Sequence, residues 1–437
     1  MTRLFGATTA VFLAVPAWAG VDIEEITTPG GIEAWLVEDH TLPFMALELR
    51  FRGGTSLDQD DALGATNLMV GLLEEGAGDL DARGYARALE SLAASIRFDS
   101  SDDDVSISAR FLTENRQEAV ALLKLALTQP RFDDDAIERV RQQVLSGLRS
   151  DAQDPNTIAG QTFRDIAYGT HPYARPGKGT IDSVSALTRE DLVAAHQGAL
   201  ARDRLYVGAV GDITAQELGV LLDDLLGDLP ATGTPIPAPA TVTLDGGITV
   251  VPYDTPQSVV LFGQLGIDRD DEDFFPAFVM NHILGGGGFE SRLMSEVREK
   301  RGLTYGVYSY LLPKDLASVY MGSVASANDR VAEAIEVITA EWARMAEDGV
   351  TDEELEAAKT YLTGAYPLRF DGHGRIASIM TGMQMQGLGV DYIDTRNDKV
   401  NAVTRDDIAR VAKELLKPDQ LNFVVVGQPD GLPTVTD

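Results

Sequence analysis

Two stretches of this chain recur at one fixed separation. Leu187-Thr-Arg-Glu-Asp191 resembles Val403-Thr-Arg-Asp-Asp407, and Leu205-Tyr-Val-Gly-Ala-Val-Gly211 resembles Leu421-Asn-Phe-Val-Val-Val-Gly427. Both pairs share an offset of 216 residues, with no gap between them. Asp133-Asp-Asp-Ala-Ile137 has a counterpart in Thr351-Asp-Glu-Glu-Leu355 at nearly the same offset. A helix start and a following strand that recur together imply two homologous domains of about 200 residues each. Between them, Leu229 to Ala240 (LPATGTPIPAPA) carries four prolines and no secondary-structure period. It reads as a semi-extended linker stiffened by proline. The expected layout is therefore 20–228 for the first domain, 229–240 for the linker and 241–437 for the second domain.

The first domain reads as strands at Ile23–Ile26, Glu33–Val37 and Ala46–Arg52, then helices over Ala62–Glu74 and Asp81–Ala94. Arg97–Phe111 reads as strands, since Val105, Ile107 and Ala109 alternate with polar residues. Helices follow over Glu114–Thr128 and Asp133–Arg149, another starts at Thr188, and Leu205–Val210 is a strand. Strands and helices do not alternate strictly. This favours an α+β class, each domain a mixed or mostly antiparallel sheet with helices on one side, over a doubly wound parallel sheet.

The N-terminus has the form of a secretion signal, residues 1–19. Arg3 supplies the charge, Leu4–Pro16 is mostly apolar, and Ala17-Trp18-Ala19 is a small-x-small cleavage site. No other long apolar run follows, so no membrane span is expected. The expected location is soluble and outside the cytoplasm, the periplasm for a chain of bacterial type. With no cysteine, thiolate zinc sites and thiol catalysis are excluded. A net charge of −32 argues against nucleic acid and anionic membranes as partners. The acid runs at Asp102-Asp103-Asp104 and Asp268–Asp273 read as solvated surface or loop.

Chemistry concentrates in Gly285–Tyr310, GGGGFESRLMSEVREKRGLTYGVYSY. Four glycines lead into a helix whose Phe289, Leu293 and Val297 are spaced for one apolar face. Arg298, Lys300 and Arg301 suit a helix C-terminus, and Gly302 ends it. Leu303–Tyr310 is rich in strand formers. The glycines suit close backbone packing or a hinge better than anion binding, since no Gly-Lys-Ser/Thr follows. His282 reads as a core or loop-anchoring histidine. Arg298 and Tyr305, seven residues apart across the break, are open to two readings: packing, or a cation and a phenol aimed at one point.

Two α+β repeats, the proline-rich linker and LGGGGFESRLMSEVREKRGLTYGVYS together resemble the pitrilysin/insulinase family of zinc metallopeptidases, in its small bacterial branch with two domains per chain. His171-Pro-Tyr with Gly179-Thr180 is a weaker match to a first-domain loop. Active members carry His-x-x-Glu-His on a first-domain helix, where two imidazoles bind zinc and the glutamate is the general base. A glutamate farther along completes the site. Here the two histidine positions are Asn67 and Gly71, the base position is Val70, and Gly147 stands at the distal glutamate. The five histidines, His40, His171, His196, His282 and His373, include no pair spaced for one helix face.

The family's second domain contributes an Arg and a Tyr that bind the substrate carbonyl, and their spacing matches Arg298 and Tyr305. Arg301 is out of register and reads as a helix-end charge. The resemblance therefore implies a non-catalytic subunit, inactive alone and without a cofactor of its own. It would complete the site of a zinc-bearing partner in a heterodimer that cleaves unfolded peptides. Two rivals stand beside it: a structural scaffold, and a holdase-like peptide-binding protein.

Overall fold

The computed structural model describes residues 21–432. The expected secretion signal, residues 1–19, lies outside them. The first sheet takes strands β1 (Glu24–Thr27), β2 (Glu33–Glu38) and β3 (Phe44–Arg52) from the start of the chain. A two-residue hairpin, β4 (Gly76–Ala77) with β5 (Leu80–Asp81), stands apart. Strands β6 (Ser95–Ser100), β7 (Asp104–Leu112) and β8 (Leu205–Gly211) complete the sheet in the order β1-β2-β8-β3-β7-β6. The second sheet contains β9 (Gly247–Pro252), β10 (Gln257–Leu265), β11 (Thr304–Pro313), β12 (Ser318–Ala327) and β13 (Asn422–Gly427), in the order β11-β12-β10-β13-β9. The two sheets repeat one plan. Each has one parallel pair, β2 with β8 and β9 with β13, and antiparallel pairing from there through to an edge hairpin, while β1 adds an antiparallel strand outside β2. The expected α+β class with mixed sheets is what the chain adopts.

The helices of the first half are α1 (Ala65–Leu72), α2 (Ala82–Ser91), α3 (Arg116–Thr128), α4 (Asp134–Asp151), α5 (Pro155–Tyr168), α6 (Ile181–Ala186), α7 (Arg189–Ala199) and α8 (Ala215–Leu226). Those of the second are α9 (Phe274–Asn281), α10 (Val331–Asp348), α11 (Asp352–Ala365), α12 (His373–Met385), α13 (Tyr392–Ala402) and α14 (Arg405–Leu415). The repeated Thr-Arg-(Glu/Asp)-Asp motif is a capping box. Thr188 Oγ1 accepts from Asp191 N at 3.3 Å while Asp191 accepts from Thr188 N at 2.8 Å. Thr404 and Asp407 do the same at 3.1 and 2.9 Å. Each box satisfies orphan N–H groups at a helix start.

Alternation along the strands splits two faces. Leu47, Leu49 and Phe51 join Leu68, Leu123, Leu192 and Leu222 in the first core. Val260, Phe262 and Val425 join Ile335, Trp342 and Ile408 in the second. The opposite faces are covered by an exchange. Helix α12 of the second half crosses β8 and β3, and α5 of the first half crosses β10 and β13. Ala377 and Met380 pack on Val210, while Ala159 and Phe163 pack with Val424 and Val426. Gly208 permits one crossing, since a Cβ there would lie 2.7 Å from the Ala377 carbonyl oxygen. Gly263 permits the other, where a Cβ would lie 2.8 Å from the Phe163 ring. Helix α5 was not anticipated, although its start is marked: Asp154 accepts from Asn156 N and Thr157 N, and Pro155 takes the first helical position.

The acid run Asp102–Asp104 lies at a loop, as one half of the expectation had it, but it is half-buried to buried rather than solvated surface. It forms the β6–β7 turn and meets the equivalent β11–β12 turn, residues 314–317, across the two halves. Lys314 pairs with Asp102, which Arg164 also reaches at 3.3 Å. Tyr173 donates to Asp103 and accepts from Leu316 N at 2.9 Å. Asp104 lies 3.4 Å from Arg50. A sequence run shows charge but not the cations that a second domain brings to it. Residues 230–246 carry no helix or strand, and the chain there is tied down. Arg204 donates to the Thr234 carbonyl at 2.6 Å, His171 Nε2 lies 2.8 Å from the Ala238 carbonyl, and Ala240 N donates to Leu316 at 2.8 Å. Among the described residues no helix is long and apolar enough to cross a membrane.

Candidate functional site

The first half holds the positions where the resemblance places a metal. Asn67, Val70 and Gly71 lie on α1 and Gly147 on α4. Asp58 holds the start of α1, accepting from Gly64 N at 2.8 Å, Thr66 N at 3.0 Å and Thr66 Oγ1 at 2.6 Å. Burial raises the Asp58 carboxyl to about 6, against these hydrogen bonds and Arg175. Val70 is sealed in the core at 4% exposure and offers no proton acceptor. At Gly71 a side chain would press on Val140 at 3.2 Å, whereas Gly147 faces open space. Asn67 lines a cleft of about 490 Å³ with Ser100, Leu148, Asp151, Arg164 and Lys178.

The donors in that cleft do not suit zinc. One amide replaces an imidazole, and the two carboxylates are already paired, Asp151 with Lys178 at 2.8 Å and Asp102 with Arg164 and Lys314. A divalent cation there would face two fixed cations. Among the described residues no group of three or more His, Asp or Glu is placed to hold a metal. The histidines serve elsewhere. His40 bonds Asp212 at 2.7 Å and His373 bonds Asp39 at 2.9 Å. His196 bonds the Leu127 carbonyl at 2.9 Å, and His282 stacks on Tyr361 at 5.1 Å. Burial lowers the pKa of both His196 and His282.

The second half arranges Gly285–Tyr310 differently from the expected continuous helix. Helix α9 runs on through a π-helical turn, His282–Gly286, so the first glycines end one helix rather than start another. Gly285 lets that turn lie on β11, where a Cβ would stand 2.8 Å from Ser309 N. Gly288 has φ +60° and Ser291 is extended, so helical register does not reach back to Phe289. Leu293 and Val297 are fully buried as expected, but Phe289 is 62% exposed. The π-helical turn Met294–Glu299 ends with Gly302 at φ +61°, whose N–H donates to the Arg298 carbonyl at 2.8 Å.

Arg298 is half-buried, and its guanidinium carbon stands 4.6 Å from the centre of the Phe289 ring. Tyr305 is 86% exposed. Pairing between β11 and β12 is irregular from Thr304 to Val307, and Tyr305 lies within that break in the ladder. Among the described residues neither side chain has a hydrogen-bonding or ionic partner, and the two do not bond each other. Arg301 is taken by Glu296, donating to its carbonyl at 2.8 Å and its carboxylate at 2.6 Å. Strand β11 lies at the sheet edge, with Tyr308 and Tyr310 also exposed. The His171-Pro-Tyr loop is structural: His171 accepts from Tyr173 N at 3.1 Å, and Tyr173 clasps the two turns at the junction.

Residues 34–180 match the model of the insulinase family, peptidase family M16, and residues 186–362 match that of the peptidase M16 inactive domain. The non-peptidase homolog YmxG of Helicobacter pylori is 30% identical over 394 residues, covering 89% of this chain and 90% of that protein. An uncharacterized zinc protease of Mycobacterium leprae is 27% identical over 399 residues, covering 89% of this chain and 88% of its own. A crystal structure of a peptidase M16 inactive domain from Pseudomonas fluorescens superposes with a TM-score of 0.88 at 29% identity, over 95% of this chain and 100% of that one.

Proposed function

This chain belongs to the insulinase family, peptidase family M16, and from that premise we propose that it is the non-catalytic subunit of a heterodimeric zinc metallopeptidase. Arg298 and Tyr305 would enter the active site of a zinc-bearing partner, bind the scissile carbonyl of an unfolded peptide and stabilise the oxyanion. The carrying observation is that, among the described residues, neither side chain has a hydrogen-bonding or ionic partner, while Asn67, Val70, Gly71 and Gly147 stand where the resemblance places the metal site of the first half. An oxyanion needs fixed donors, and an arginine and a phenol with no hydrogen-bonding or ionic partner among the described residues supply them without breaking such bonds. Support also comes from the similarity to a protein named a non-peptidase homolog. The unpaired edge of β11 offers main-chain groups that an extended peptide can use with little sequence demand. The proposal places the assembly outside the cytoplasm, on the strength of Arg3, the apolar run and Ala17-Trp18-Ala19.

The test is reconstitution. The chain is purified alone and with a zinc-bearing family member from the same cell, and peptide cleavage is assayed. The lone chain should be silent and the mixture active. Arg298→Ala or Tyr305→Phe should each lower kcat by about 10²–10³-fold, the usual loss for one oxyanion donor. A mixture whose activity survives both substitutions together would leave only a scaffold role. Peptide binding with no cleavage in any mixture would mean a holdase.

A further inference from the structure

Phe289 is a large aromatic residue left 62% exposed beside an arginine that has no carboxylate partner among the described residues. Three acids lie nearby in sequence, and among the described residues neither Glu290 nor Glu299 pairs with Arg298. Glu296 holds Lys300 at 2.6 Å and Arg301 at 2.6 Å. Among the described residues the contact made by the Arg298 head is with the face of the Phe289 ring, 4.6 Å from the guanidinium carbon. The backbone is bent to place it there. Gly288 takes φ +60°, and Gly287 lies so close to His282 that a Cβ would stand 2.7 Å from its carbonyl oxygen.

We infer that Phe289 is a positioning residue for Arg298, holding the guanidinium in place while leaving its charge unspent. The inference rests on the proposed role of Arg298 as an oxyanion donor. A carboxylate partner would orient the side chain equally well, but it would neutralise the charge that a developing oxyanion needs. An aromatic face attracts the cation through its quadrupole and occupies none of the N–H donors, which lie in the guanidinium plane. Preorganised donors cost no reorganisation when charge develops, so a loosened Arg298 should lower kcat with little change in KM.

The experiment uses the full chain with its zinc-bearing partner and the variants Phe289→Leu, Phe289→Trp and Arg298→Ala. Phe289→Leu keeps an apolar side chain and removes the ring face. It should lower kcat about three- to tenfold, the scale of a partly exposed cation–π contact, and leave KM within about twofold. Phe289→Trp should restore kcat. In the Arg298→Ala background, Phe289→Leu should have no further effect. The Arg298 Nε–H resonance, identified by its loss in Arg298→Ala, should carry a ring-current shift that disappears in Phe289→Leu and returns in Phe289→Trp. A large effect of Arg298→Ala with none of Phe289→Leu overturns the positioning role alone. No effect of Arg298→Ala overturns the underlying reading, and the ring-current shift then still reports whether the contact exists. Equal losses in both backgrounds would mean that Phe289 acts through something other than Arg298.

Discussion

Arg52 on β3 and Asp315 in the β11–β12 turn form an ion pair across the two halves, with Arg52 Nε 3.1 Å from a carboxylate oxygen. The Nε–H is not aimed at that oxygen and has no hydrogen-bond partner. Attraction without a directed bond offsets burial only in part. The Asp315 carboxyl is accordingly raised to about 6: burial raises it, Arg52 and Lys314 pull it down, and Asp103 and Asp104 add to the rise.

That shift fixes the sign of a pH effect. A carboxyl whose pKa is higher folded than unfolded takes up a proton on folding, so stability falls as pH climbs from the ordinary aspartate value of about 4 towards about 6. Asp315→Asn removes this term. Its melting temperature relative to the parent should be higher at pH 7 than at pH 4.5, the change centred between those values. Scanning calorimetry at a series of pH values decides it, and a difference flat with pH would contradict it.

Lys314 should matter more than a surface lysine. Its side chain is 12% exposed, its partner Asp102 is 16% exposed, and its ammonium lies 3.6 Å from the centre of the Tyr173 ring. Burial pushes the Asp102 carboxyl up, but Lys314 and Arg164 more than reverse this and hold it below its ordinary value. Lys314→Met leaves buried acid short of a cation and should cost about 2–4 kcal/mol, where an exposed pair would cost under about 1. Adding Asp102→Asn should recover part of the loss. Urea unfolding of the parent and both variants measures it.

The helix exchange predicts a contrast among glycines. Gly208→Ala would drive a methyl to 2.7 Å from the Ala377 carbonyl, and overpacking of this kind costs about 1–3 kcal/mol. Hydrogen exchange should quicken in α12 while the helices of the first core stay protected. Gly364 and Gly382, in α11 and α12, face open space. Alanine at either should be neutral or stabilising by up to about 1 kcal/mol.

Metal removal should separate chain from assembly. EDTA should leave the melting temperature of the isolated chain unchanged, because Arg164 and Lys178 occupy the cleft beside Asn67. The same treatment should abolish cleavage by the reconstituted pair and be reversed by zinc. Metal analysis of the isolated chain should find well under one equivalent.

Much of the fold was legible. The capping boxes at Thr188 and Thr404 are local hydrogen-bond patterns, and the strands they precede are runs of apolar residues, so repetition at one offset exposed both domains. The identities of Asn67, Val70, Gly71 and Gly147, at the positions the resemblance gives to metal ligands and base, were equally plain, because side-chain chemistry can be read without coordinates. Phe289 was misjudged for a definite reason: i, i+4 spacing assumes a continuous helix, and Ser291 is extended. The burial of the acid run at Asp102 was missed because its cation, Lys314, lies 212 residues away.

The sequence alone determined the class of fold, the duplication, which residues stand at the positions the resemblance gives to metal ligands, and the spacing of Arg298 from Tyr305. Each is a property of local pattern or of residue identity. Only the tertiary structure decided that α5 and α12 change places, that the two hairpin turns meet as a charged junction, and that Arg298 rests on an exposed ring. These depend on where distant segments meet, and no local propensity encodes that; it is set by how two amphipathic sheets bury their second faces against each other's helices.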